Sequence, residues 1–145
     1  MKIIFSLIIL LSISACKTEN RFNLCRGKTH PYYYPVLRYK GGLYEIKNHF
    51  FRNYKSVDEG DNSGIVKIKF NINCLGESGN FSFETFSLEY RIISINPEIT
   101  QQLIELTKDL NEWEPARNES GNSVNSHKFF AFKIIDGQLK DIFPK

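Results

Sequence analysis

Between Val66 and Ile72 every second residue is apolar: Val66, Ile68, Phe70 and Ile72 alternate with Lys67, Lys69 and Asn71. Successive side chains of an extended chain point to opposite faces, so this stretch is a strand with one dry face and one wet face. It excludes an all-helical fold and demands a second layer to cover the dry face. The run Gly76-Glu77-Ser78-Gly79-Asn80 is rich in turn formers, and Phe81 and Phe83 then alternate with Ser82 and Glu84. The pattern predicts a hairpin whose apolar side faces the core.

The covering layer is helical. Leu43, Ile46, Phe50 and Tyr54 fall at i, i+3, i+7 and i+11, one face of a helix, with Lys47, Asn48 and Arg52 toward the other side. Asp58 to Gly64 is a polar loop. Asn96-Pro97-Glu98 reads as a helix start: Asn caps, Pro suits the first helical position, and Glu favours the positive end of the dipole. Ile99, Leu103, Leu106, Leu110 and Trp113 continue the stripe, and Pro115 is expected to end it. After a turn at Gly121-Asn122, Phe130, Phe132 and Ile134 alternate with Ala131 and Lys133 in a last strand from Val124 to Ile135. The order α-β-β-α-β implies an α+β domain, with two helices on one face of a small antiparallel sheet of about three strands.

The start of the chain has a different character. Met1 and Lys2 precede 11 residues, Ile3 to Ile13, broken only by Ser6 and Ser12, and the small residues Ser14 and Ala15 follow. This is the layout of a secretory signal over residues 1–15, and it is too short for the roughly 20 apolar residues of a membrane span. Ile13-Ser14-Ala15-Cys16 resembles the lipobox of bacterial lipoproteins. That resemblance implies acylation of Cys16, which becomes the first mature residue, and stable attachment to a membrane through several acyl chains. By analogy with the sorting rule of such proteins, Lys17 in place of Asp favours the outer membrane, with the domain facing the periplasm. Removal of the first 15 of the 145 residues leaves 130, enough for one domain with a real core. Residues 16–34 read as a lipidated tether ending in Tyr32, Tyr33 and Tyr34, and residues 35–145 as the domain.

Composition narrows the chemistry. A net charge of +3 describes an ordinary solvated surface and gives no reason to expect nucleic acid. Twelve Phe and seven Tyr call for a packed core. With Cys16 assigned to lipid, Cys25 and Cys74 remain. An oxidising compartment permits a disulfide between them, and two free thiols are the alternative. His30, His49 and His127 are scattered, without the spacing of a metal site, and no cofactor is expected. No Gly-x-Ser-x-Gly, phosphate loop or paired acids point to an enzyme. Cys25 and His30, five residues apart, are too weak a thiol–imidazole pair to carry one.

Four features together resemble the C-terminal domain of TonB-type energy transducers. Pro35 and Gly41-Gly42 precede the first helix. Gly64-Ile65-Val66-Lys67-Ile68-Lys69-Phe70-Asn71-Ile72 resembles the family's Gly-x-Val-x-Val-x-Phe strand. Gly79-Asn80-Phe81 sits at the turn into the next strand. Trp113-Glu114-Pro115-Ala116-Arg117, followed by Gly121 and Val124, resembles its Trp-x-Pro-Ala motif. The match spans roughly residues 35–136. The chain departs from full transducers in having only 5 prolines, no long proline-rich span, and Lys55 after Tyr54. The resemblance implies a protein-interaction domain that offers its last strand to an extended peptide from an outer-membrane receptor or another envelope protein, with a homodimer or a purely structural role as alternatives. The implied binding strand carries His127, Lys128, Phe130, Phe132, Lys133 and Ile134. Its charges would read an acidic peptide or simply guard an exposed edge.

Replacing Cys16 by Ala is expected to leave an unprocessed precursor that takes up no palmitate analogue. A mutant that is still labelled and still fractionates with membranes would refute the lipoprotein assignment.

Overall fold

The computed structural model describes residues 21–31, 38–58, 60 and 62–144. The expected signal sequence, Cys16 and the run from Tyr32 to Pro35 lie outside the described residues. The elements are β1 (Thr29–Pro31), β2 (Arg38–Tyr39), α1 (Gly42–Asn53), β3 (Gly64–Ile72), β4 (Ser78–Phe86), α2 (Pro97–Lys108), β5 (Trp113–Glu114), β6 (Ala116–Arg117), β7 (Ser123–Ile135) and β8 (Gln138–Phe143). No helix among the described residues is long and apolar enough to cross a membrane.

The alternating segment is the centre of the sheet. β3 pairs antiparallel with β4 on one side and with β7 on the other. Val66, Ile68 and Ile72 are fully buried and Phe70 nearly so, while the residues between them are partly or well exposed. In register with them, β7 turns Phe130, Phe132 and Ile134 to the same dry face. α1 supplies Ile46 and Phe50 to this core, and α2 supplies Ile99 and Leu103. Phe50 meets Phe132 edge to face at 4.7 Å between ring centroids, a favoured geometry for aromatic pairs. His49 Nε2 lies 2.8 Å from the Leu106 carbonyl oxygen and links the two helices.

The fold is α+β as expected, but the main sheet has six strands, not about three. Two additions account for much of the difference. Asp136 and Gly137, both at positive φ, make a two-residue turn that sends the chain back as β8. β1 lies parallel to the start of β7, Thr29 opposite Asn125 and Pro31 opposite His127. Three residues are too few to show a period, so this strand is invisible to pattern reading. A separate two-stranded sheet joins β2 to β5.

Helix α2 ends earlier than its apolar stripe. It stops at Lys108, and Trp113 belongs to β5. Leu110 and Trp113 still reach the core, through an irregular segment in place of another helical turn. The Trp113 carbonyl fixes Gly76, since a Cβ there would stand 2.5 Å from that oxygen.

The N-terminal segment joins the domain well before residue 34. Cys25 and Cys74 are disulfide-bonded across 49 positions. The Asn125 side chain brackets Cys25, accepting its N–H at 2.9 Å and donating to its carbonyl at 2.8 Å. Buried Asn73 holds the β3–β4 turn that carries Cys74. Its Oδ1 accepts from the N–H groups of Leu75 and Glu77, and its Nδ2 donates to the Asn23 carbonyl. Upstream, the Phe22 ring lies against Gly79, where any Cβ would collide with it.

Replacing both Cys25 and Cys74 by Ser is expected to destabilise the domain by about 4 kcal/mol, the chain-entropy value for a closed loop of this length. An unchanged urea midpoint would mean that Asn125 and the β1–β7 pairing hold the segment without the bond.

Candidate interaction surfaces

The expected binding strand, β7, is not an edge. β3 covers one side from Ser126 to Ile134. On the other side, β8 pairs with Ala131 to Ile135, β1 with Asn125 to His127, and β6 with Ser123 and Val124. The backbone groups that an added peptide would need are therefore largely spent inside the sheet. The expectation that β7 offers a free last-strand edge is corrected, because the Asp136-Gly137 turn and the N-terminal segment bring further strands to it.

The six residues named on this strand also separate onto two faces. Phe130, Phe132 and Ile134 are fully buried core residues with no surface to offer a partner. Lys128 shares their face. Its ammonium lies 5.3 Å from the Phe130 ring centroid and 5.9 Å from that of Trp113, a cation–π geometry, and burial lowers its pKa. His127 and Lys133 are exposed and alternate to the opposite face.

One edge left open among the described residues is that of β4, which lies at the end of the strand order. Alternation decides which of its groups point outward. The Thr85 carbonyl accepts from the Ile93 N–H at 3.2 Å, and the Ser87 N–H donates to Arg91 at 2.7 Å, so residues 85 and 87 face away from β3. Phe83, two residues before Thr85, turns its N–H and carbonyl the same way. Among the described residues no strand pairs with this edge from Asn80 to Glu84.

The same edge carries apolar side chains into solvent. Phe83 is 48% exposed, and the turn that follows displays Leu88, Tyr90 at 76% and Ile92 at 87%. That turn is ordered. Ser87 Oγ accepts from the N–H groups of Glu89 and Arg91, and the Ser87 carbonyl accepts from Tyr90 N–H. Tyr90 sits at φ 64, a left-handed conformation that is strained for a bulky side chain. Such strain persists where surrounding contacts enforce it, and it is concentrated at functional sites. Pattern reading found the β4 strand but not this role. The cue was present in Leu88, Tyr90 and Ile92, apolar residues in a segment that had no other assignment.

A cavity of about 570 Å³ opens beside the second sheet, between Tyr39, Gly41, Trp113, Lys128 and Pro144. Its ionisable lining includes Arg38, Lys40, Glu114 and Lys128, which is neither a nucleophile–base pair nor a pair of carboxylates. Glu112 stands 2.7 Å from Lys40 and raises the lysine pKa, through a hydrogen bond first and charge second. No group of three or more His, Cys, Asp or Glu side chains among the described residues is placed to hold a metal ion.

No protein-family model, curated protein or solved structure matches the chain.

Proline in place of Ala131 is expected to unfold the domain and not merely to weaken binding. Both neighbours of Ala131, Lys67 and Phe143, are sheet partners. An unpaired acceptor there costs about 1–3 kcal/mol before steric strain is added. A variant with an unchanged melting curve by circular dichroism would show that this part of β7 is not held on both sides.

Proposed function

We propose that the chain is an envelope lipoprotein, anchored by Cys16 in the outer membrane. In this reading its domain holds an extended segment of an envelope partner along the free edge of β4. The observation that carries this is the outward-facing backbone of Phe83, flanked by the exposed Phe83, Tyr90 and Ile92 side chains. A peptide added there gains ladder hydrogen bonds from the backbone and selectivity from alternate side chains. An edge with apolar side chains and no proline or lysine among Phe81, Ser82, Phe83 and Glu84 is also a liability unless a partner covers it. The TonB-like reading supports the same mode of recognition, moved from β7 to β4. A link to TonB-dependent transport rests on that resemblance. A second copy of the chain, pairing through the same edge, is the other occupant this geometry accepts.

A photo-crosslinking side chain at Ser82 tests the proposal in cells. Adducts are expected that map to an extended segment of one envelope protein, or to β4 of a second copy. Phe83→Pro removes an outward N–H and spares the ladder to β3. It is expected to weaken capture about tenfold, the value of one hydrogen bond of about 1–1.5 kcal/mol. Adducts that persist at full yield in a folded Phe83→Pro protein would place the partner elsewhere.

A further inference from the structure

We propose that the end of the sheet carrying the disulfide is a docking face for anionic lipid headgroups. The inference rests on the lipoprotein reading and adds an orientation to it: the domain stands on the membrane with its Cys25–Cys74 end down.

The argument begins with chain length. Phe22 is already packed on Gly79, six residues after Cys16. Six residues reach roughly 20 Å when fully extended. The disulfide, the Asn125 bracket and β1 then fix the segment to one end of the sheet. At this end β3 finishes and β7 starts. A lipid on Cys16 would therefore hold this end near the bilayer surface and leave the Asp136-Gly137 end, where β3 starts, pointing away.

Charge agrees with that placement. Arg21, Arg26 and Lys28 are all exposed on the segment that leads into β1. Arg117 stands at the same end, where β6 meets the start of β7, and its guanidinium donates to the Gly121 carbonyl at 2.9 Å. The acids near this end include Glu77, which accepts a hydrogen bond from Asn73 at 2.7 Å, Glu119, and Glu114, which lines a cavity with Arg38 and Arg117. Arg21, Arg26, Lys28, Arg38 and Arg117 thus outnumber these three acids. Exposed charges act over about 8 Å at physiological salt, and the short link to Cys16 lets this end of the domain come within that range of the bilayer. Each Lys or Arg near an anionic surface contributes about 1 kcal/mol of attraction.

The core and both sheets lie within residues 22–143, so the chain from Lys17 onward carries the folded domain without signal or lipid. This protein, checked by circular dichroism, is mixed with phosphatidylcholine vesicles with and without phosphatidylglycerol. Binding is expected only to the anionic vesicles, and to fall as salt rises. Arg26→Gln with Lys28→Gln removes two cations and should weaken binding roughly thirty-fold, at about 1 kcal/mol each and 1.4 kcal/mol per decade. Lys133→Gln with Lys140→Gln, near the opposite end of the sheet, should leave it unchanged. Equal binding to neutral vesicles, an equal loss in the Lys133/Lys140 variant, or equal affinity for soluble polyglutamate would each overturn the proposal. Acylation of Cys16 is measured separately by palmitate labelling of the full chain, so a failure of the anchor and a failure of the docking face give different results.

Discussion

The ladder between β3 and β7 is the constraint on which the other elements depend. It runs without a break from Gly64 opposite Ile134 to Ile72 opposite Ser126. Both strands are two-sided, with Val66, Ile68, Phe70 and Ile72 on one and Phe130, Phe132 and Ile134 on the other facing the helices. A slip by one residue would turn one strand's apolar set to the wet face and leave Phe50, Ile99 and Leu103 facing lysines. The other strands of the main sheet take their positions from this pair: β4 adds to β3, while β1, β6 and β8 add to β7.

Legibility in the sequence followed periodicity. β3, β4, β7, α1 and the start of α2 are long enough to show a period, and each lies close to where its pattern placed it. The Asn96 side chain caps α2 by accepting from Glu98 N–H at 2.9 Å, as the Asn-Pro-Glu start implied. What pattern reading missed was short or decided by tertiary contact. β1 has three residues, and its pairing spans about a hundred positions of chain. Trp113 continues a helical spacing by coincidence: the helix has already ended, and the residue enters the core from β5, edge to face with Tyr39 at 4.8 Å. The Asp136-Gly137 pair is a hairpin-turn signal in the sequence, and it changes the functional picture most. Once β8 is added, the strand carrying His127, Lys128 and Lys133 becomes interior, and the edge that stays open beside β3 is β4.

Burial explains why the candidate residues on β7 divide as they do. A strand paired on both sides and packed on one face leaves only its second face for chemistry. His127 and Lys133 lie on that face. There Lys67 stands over the Phe129 ring at 5.1 Å, and Lys69 pairs with Glu84 at 2.8 Å. Ion pairs this exposed stabilise little and are readily exchanged for other partners. Lys128, on the dry face, holds its ammonium over two aromatic rings, and its lowered pKa reflects the water it has lost.

The parallel pairing of β1 with β7 also sets an order of events for a chain that is made from its N-terminus. Thr29 and its neighbours are synthesised early, yet their partners at Asn125 to His127 come nearly a hundred residues later. Until then the segment has nearer attachments, among them Asn73, Cys74 and Gly79. Closing the disulfide first would roughly halve the loop that β1 must close to reach β7. Because loop entropy grows only logarithmically, halving the loop saves about 0.6 kcal/mol. The bond therefore does little to hasten β1 docking, and the finished fold waits on the last fifth of the chain. A protein truncated before Ser123 would lack not a peripheral strand but the partner of β1, β3 and β6 alike, and β8 with it.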